Sequence, residues 1–308
     1  MRRSGSFWGI TSYFNPIGYR RRLENYRIFR ERLNVPLLTV ELSQSDGFHL
    51  RPGDAEILIQ LKCRDLLWQK ERLLNIGLQA LPRECDTVAW LDCDAIFESD
   101  DWPERSSRLL ETYQIVMPYK FVYDLPKNAL PEDAGAEAIV KHSLMYALEC
   151  GASLEMLRGD MNVKHRVTSG LASVARRAMI EKHGIYDACV LGSGNRVFSC
   201  ATLGRFDDAI QYLQMNANWA KHYLAWAEPF YDTVRGSVTY LDEGVFHLWH
   251  GDRENRKYVN RHGLLKERDF DPGKDIALDE NGCWRWNAPR NDTQEQILGY
   301  FQSRREDG

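Results

Sequence analysis

The chain has 308 residues, 44% hydrophobic and 27% charged, with a formal net charge of −4. These figures suit one large or two modest soluble α/β units and give no general attraction to nucleic acid or an anionic membrane. Its seven cysteines form no C-x-x-C pair. No stretch approaches the roughly 18–20 apolar residues of a membrane span. The expectation is a cytoplasmic protein with free thiols and no stable membrane association.

In chain order, "SFWGITSYF" reads as a first strand and "NPIGYR" as a turn. A helix over Arg20–Leu33 follows, with Leu23, Tyr26, Phe29 and Leu33 as its apolar stripe and arginines mostly on the other faces. Val35–Leu42 and Ala55–Leu61 read as strands. Asp65–Leu81 reads as a helix capped by Asp65 and ended by Pro82. Thr87–Leu91 and Gln114–Tyr119 are the next strands. Between Phe121 and Asp160 the composition shifts, suggesting an insertion with one helix at about Ala134–Cys150. "GLASVARRAMIEKHGIYD" reads as a helix that stops near Gly184. Asn216–Asp232 reads as a helix with Trp219, Tyr223 and Trp226 as its core stripe, and "GSVTYLDEGVFHLWHG" as two short strands.

This order predicts an α/β fold with a Rossmann-like, mostly parallel sheet flanked by helices. The expected organisation is a unit over 1–260 (halves 1–120 and 161–260 around an insertion at 121–160), with an extension over 261–308 that covers Trp284 and Trp286.

The segment "VAWLDCDAIF" carries the first chemical signal. An apolar strand ends in Asp92 and Asp94, where open parallel sheets bind ligands. Two close carboxylates repel unless a cation neutralises them, and a hard divalent ion with open positions for phosphates does so. A second such pair, Asp269 and Asp271, follows no apolar strand and reads as a turn. On the preceding helix, Lys70 and Glu71 fall on or beside the apolar stripe, where a charge needs a partner or a task; Lys70 or Asn75 could reach a nucleotide. Late in the chain His247 and His250 close another apolar run, followed by Arg253, Arg256 and Lys257. Imidazoles can add metal ligands, and the cations can clamp phosphate oxygens.

Together, "GITSYFNP", "LLWQKERLLNIGL", "VAWLDCDAIF", "SGLASVARRAMIEKHGIYDACVLGSGN" and "HLWHG" resemble, in order, the nucleotide-sugar glycosyltransferases of the A-type (GT-A) fold. The resemblance runs over roughly residues 7 to 258. It implies a nucleoside diphosphate sugar donor, such as a UDP-sugar, and Mn²⁺ or Mg²⁺. Asp94 would be the firmer metal ligand, with Asp92 near the ribose or metal. His247 or His250 would complete the shell, His250 being preferred. Thr11, Ser12 and Tyr13 would meet the base or ribose, with Lys70 close by. The acceptor would be a hydroxyl, by default on a glycan, although a modified DNA base is compatible.

In one respect the chain departs from the pattern: Asn195 in "GSGN" stands where many relatives carry an acid. Asparagine can hydrogen-bond a sugar or acceptor but cannot be a base. Either Asp187, Asp207 or Asp208 serves instead, or the reaction is retaining, or transfer is impaired. The rival readings are a metal-dependent phosphohydrolase or nucleotidyltransferase, against which stands the lack of a G-x-x-x-x-G-K-[ST] loop, and a non-catalytic binding protein on a degenerate transferase fold.

Overall fold

The first apolar run forms β1 (Ser6–Phe14), followed by α1 (Arg20–Arg32), β2 (Leu37–Ser43), β3 (Ile57–Lys62), α2 (Lys70–Ala80) and β4 (Cys85–Leu91). The computed structural model describes residues 6–45, 47–135, 138–256, 262–288 and 291–308. β1 pairs in parallel with both β2 and β4, and β2 with β3. All of β2 is buried, as a strand covered on both faces must be. The stripe of α1 buries Tyr26, Phe29 and Leu33. α2 lies on β1 and β2 at Gly77, where a Cβ would come within 3.1 Å of Leu38.

The chain continues through β5 (Ala95–Phe97), α3 (Trp102–Leu109), β6 (Ile115–Met117), β7 (Phe121–Asp124), β8 (Ile139–Ser143), α4 (Leu144–Glu149), α5 (Met161–Lys164), β9 (Val167–Thr168) and β10 (Ala172–Arg176). Then come α6 (Arg177–His183), α7 (Gly194–Thr202), α8 (Phe206–Leu213), α9 (Ala217–Val234), β11 (Val238–Tyr240) and β12 (Gly244–His247). The main sheet has seven strands in the order β11-β6-β10-β4-β1-β2-β3, with β10 antiparallel to both neighbours. A second sheet, β5-β12-β7-β8-β9, stands beyond the carboxyl end of β4. The chain passes from one sheet to the other through the turn at Asp92–Asp94, which therefore faces both.

Residues 262–308 include α10 (Gly263–Glu267), α11 (Pro272–Asp275), the hairpin β13 (Ile276–Leu278) and β14 (Trp284–Trp286), and α12 (Asn291–Ser303). Phe270, Trp286 and Phe301 join the same hydrophobic core as β1, β4 and α9. Trp286 is buried, and Trp284 is partly covered and donates from Nε1 to the Asp187 carbonyl (3.1 Å).

Three expectations are corrected. The helix predicted from Asp65 begins at Lys70. Asp65 instead accepts from the Trp286 backbone N–H (2.6 Å), and the Gln69 side chain accepts from Trp284 N–H, so residues 65–69 serve the hairpin rather than a first helical turn. The helix predicted over Ala134–Cys150 is the strand β8 plus the short α4; alternate burial of Lys141 and Ser143 in β8 has a period of two, not 3.6. The stretch read as one helix to Gly184 is strand β10, then α6, with Gly184 (φ +65°) ending it. By contrast, α9 buries Trp219 and Tyr223 as core, and Asp271 caps α11 by accepting from the Gly273 N–H (3.0 Å).

Candidate metal centre and active-site cavity

The turn after β4 is held by Asp92 N–H donating to the Leu171 carbonyl (2.7 Å) and Ala95 N–H to the Asp92 carbonyl (3.3 Å). Leu248 N–H donates to the Asp94 carbonyl (2.9 Å), which fastens the turn to the exit of β12. In the second sheet His247 lies opposite Ala95 on one side and Asp124 on the other. The strand register thus brings Asp94, His247 and Asp124 together, and His250 returns to them three residues later.

Asp94, His247 and His250 each offer a ligand atom within 4.8 Å of the others. His247 Nε2 and His250 Nε2 are 3.1 Å apart, His250 Nε2 is 3.3 Å from Asp94 Oδ2, and His247 Nε2 is 3.8 Å from Asp94 Oδ1. Adjacent ligands of an octahedral ion with bonds of about 2.1 Å are about 3 Å apart, so this set fits one cation. On the far side of each ring a carboxylate faces Nδ1: Asp124 Oδ1 at 2.9 Å from His247, and Glu306 Oε1 at 3.8 Å from His250. Such backing carboxylates orient metal-binding imidazoles. Burial would raise the Asp124 carboxyl, but His247 and an ion pair with Lys141 hold it below the usual aspartate range. Both histidines, rather than one, therefore turn a ring nitrogen towards the same point as Asp94.

Asp92 has other company. It is ion-paired with Lys70, the first residue of α2, whose Nζ also donates to Asn195 Oδ1 (3.4 Å). Burial would depress the Lys70 ammonium, yet Asp92 and then Glu71 keep it above its ordinary value. Glu71 is 3% exposed and lies against Gly194, where a Cβ would come within 2.1 Å of its carboxylate. Burial pushes its carboxyl up to about 7, against the pull of Lys70. Asn195 rests on Gly170. Cys93 packs against the Tyr13–Tyr26 cluster, and burial pushes its thiol up to about 12.

These groups line one cavity of about 770 Å³, which Ser12, Phe14, Trp68, Arg22 and Arg304 help to wall. A pocket of this size takes a nucleotide-sized ligand. Six acidic and six lysine or arginine residues line it. The wall is therefore close to neutral.

Of the residues expected at the site, the structure brings Ser12, Lys70, Asp92, Asp94, Asn195, His247 and His250 into this cavity. Thr11 and Tyr13 lie elsewhere. Thr11 is buried and donates to the Leu91 carbonyl (2.7 Å), tying β1 to β4, while the Tyr13 ring packs on Tyr26. Asn75 is structural: it accepts from Ile185 N–H and donates to the Ile185 carbonyl, both at 2.8 Å. Asp187 pairs with Arg72, Asp208 with Arg158 and Arg205, and Asp207 is exposed; none of these three lines the cavity that holds Asn195. Arg253 starts a short 3₁₀ turn, and Lys257 lies outside the described residues. Sequence reasoning missed Asp124, Lys141, Glu306, Arg22 and Arg304. It flagged Glu71 as a charge in need of a partner but gave it no place.

No family model matches the chain, and no curated protein matches it in sequence. Solved structures resemble it. Residues 1–349 of TarS from S. aureus, in complex with UDP-GlcNAc, match over 97% of this chain and 72% of that one at 11% identity, TM-score 0.42. The mannosyltransferase PcManGT from Pyrobaculum calidifontis, in complex with GDP-Man and Mn²⁺, matches over 88% and 66% at 13% identity, TM-score 0.42. 4-Diphosphocytidyl-2C-methyl-D-erythritol synthase from Anaerococcus prevotii matches over 78% and 87% at 10% identity, TM-score 0.34. At such identities the functional reading rests on the residues of the cavity. Among the described residues no helix is long and apolar enough to cross a membrane, and none of the seven cysteines forms a disulfide.

Proposed function

We propose that the protein is a metal-dependent glycosyltransferase that moves a sugar from a nucleoside diphosphate sugar to a hydroxyl acceptor. The observation that carries this reading is the convergence of Asp94, His247 and His250 in a cavity that also holds Lys70, Arg22 and Arg304. Two imidazoles with one carboxylate suit Mn²⁺ better than Mg²⁺, which prefers oxygen. A bound ion would supply charge neutralisation for the departing nucleoside diphosphate.

The chain's own groups do the remaining work. Lys70 holds Asp92 in place and offers a charged donor to a phosphate or ribose oxygen. Arg22 and Arg304, both paired with Glu306, add positive charge to the cavity wall. Asn195 can donate and accept towards a sugar hydroxyl. Glu71, with its carboxyl near neutrality beside α7, is the acid that the cavity sets next to the Asn195 position. The acceptor is proposed to be a glycan hydroxyl, entering past the 121–160 segment, which contributes Ile139 and Lys141 to the wall.

The test is hydrolysis of a panel of UDP- and GDP-sugars, with Mn²⁺ and with EDTA, by wild type and Asp94→Asn. Metal-dependent hydrolysis of one donor, lost in the variant, is expected. Consumption of a nucleoside triphosphate with a sugar phosphate, and of none of the sugar nucleotides, would favour nucleotidyl transfer instead.

A further inference from the structure

Residues 300–308 close over the site through a series of specific contacts. Tyr19 Oη donates to the carbonyls of Phe301 (3.1 Å) and Gln302 (2.9 Å). Phe301 lies against Trp68 and Phe14 at ring distances of 6.0 and 5.4 Å. The Asp307 carboxylate accepts from Arg20 and Arg21 N–H (3.3 and 2.9 Å), supplying the first turn of α1 with the acceptor that the Tyr19 N-cap lacks. At Gly251, φ is +94° and a Cβ would come within 2.6 Å of the Arg304 carbonyl. Glycine beside His250 is what lets the segment approach.

The product of this closure is the placement of Glu306. Its side chain is 1% exposed and bridges Arg22 Nε (2.5 Å) and Arg304 Nε (2.5 Å). The same carboxylate faces His250 Nδ1. That approach is 3.8 Å, against the 2.9 Å hydrogen bond by which Asp124 holds His247 from the second sheet.

We propose that Glu306 is a positioning residue for the metal centre: it fixes His250 with Nδ1 protonated and Nε2 turned towards Asp94, so that residues 300–308 complete the site begun two sheets away. This inference rests on the metal-dependent reading above. An imidazole backed by a carboxylate is held in one tautomer and one orientation, and loss of such a partner costs about 10- to 100-fold in metal affinity.

The test is Mn²⁺ binding by electron paramagnetic resonance to wild type, Glu306→Gln, Glu306→Asp, Arg105→Met and Asp94→Asn. The expected result is a 10- to 100-fold loss in Glu306→Gln, partial recovery in Glu306→Asp, and affinity within threefold of wild type in Arg105→Met, which breaks the ion pair to the buried Glu243 away from the cavity. Folded Glu306→Gln with wild-type affinity would overturn the proposal, as would an equal loss in Arg105→Met. Because Glu306 also neutralises two arginines, a second measurement avoids mutation. In Cd²⁺-loaded wild type, long-range ¹H–¹⁵N NMR is expected to show His250 bound through Nε2 with a proton on Nδ1. The opposite tautomer overturns the proposal. If Asp94→Asn abolishes Mn²⁺ binding while Glu306→Gln does not, only this inference fails; if Asp94→Asn also binds normally, the metal-dependent reading fails with it.

Discussion

Asp92 and Asp94 are two residues apart on the same turn and line the same cavity, yet they have opposite surroundings. Asp94 meets two imidazoles backed by carboxylates, and Asp92 meets one ammonium. The difference comes from the sheets behind them. Asp94 faces the second sheet, where the β12 register delivers His247, whereas Asp92 faces α2, whose first residue is Lys70. Two chemically identical side chains thus receive different surroundings from their neighbours: one faces two imidazoles, where the proposed function sets a cation, and the other pairs with a cationic side chain.

The largest expected effect falls on the imidazole side. Replacing His247 and His250 together with alanine should lower metal-dependent donor hydrolysis about a thousandfold or more, since Lewis-acid assistance is worth several kcal/mol. On the ammonium side, Lys70→Met should raise the KM for the donor by about 10- to 100-fold, the worth of a charged hydrogen bond, and leave Mn²⁺ affinity nearly intact. Equal loss of metal binding in both variants would erase the distinction.

Glu71 offers a pH-dependent view of the ammonium side. Its folded-state pKa is raised from 4.5 to about 7, so the stability it contributes is fully present below about pH 4.5 and is lost as pH rises through 7. Thermal unfolding of Glu71→Gln against wild type should therefore show the variant gaining relative stability between pH 5 and pH 8, by at most about 3 kcal/mol. A difference that does not change with pH would contradict the burial of an ionisable carboxyl there. The smallest effect is expected just outside the cavity: Thr11→Val should cost about 1 kcal/mol of stability by leaving the Leu91 carbonyl without its donor, and should not change the KM for the donor.

Much of this was legible in the sequence wherever the signal was local. The strands β1, β2 and β4 and the stripe of α1 follow from apolar periodicity; the cavity residues Asp94, His247 and His250 follow from polar groups at the end of an apolar run, and Lys70 from a charge on or beside the apolar stripe of a helix. The failures have a common cause. Asp65 reads as a helix cap because a cap is defined by its neighbours, but a hairpin more than 200 residues away uses it. The strand at Ile139–Ser143 was hidden in an alanine- and glutamate-rich stretch: Ile139 and Val140 favour a strand, but its pairing with β7 is not visible in the local sequence. Glu306 lies 284 residues from Arg22 in a polar segment with no periodicity, and only the folded chain shows that it is buried. Asp124 could have been suspected as a charge ending the short run "KFVYD", although nothing local says that it meets His247. Asn195 was visible as a departure, but the acid set beside its position, Glu71, comes from another helix.

The most direct measurement is the Mn²⁺ dissociation constant of wild type, Asp94→Asn and Asp92→Asn, determined side by side on folded protein. The account predicts a loss of at least about 100-fold in Asp94→Asn and less than about tenfold in Asp92→Asn. Equal losses in the two variants, or affinity unchanged in Asp94→Asn, would contradict it.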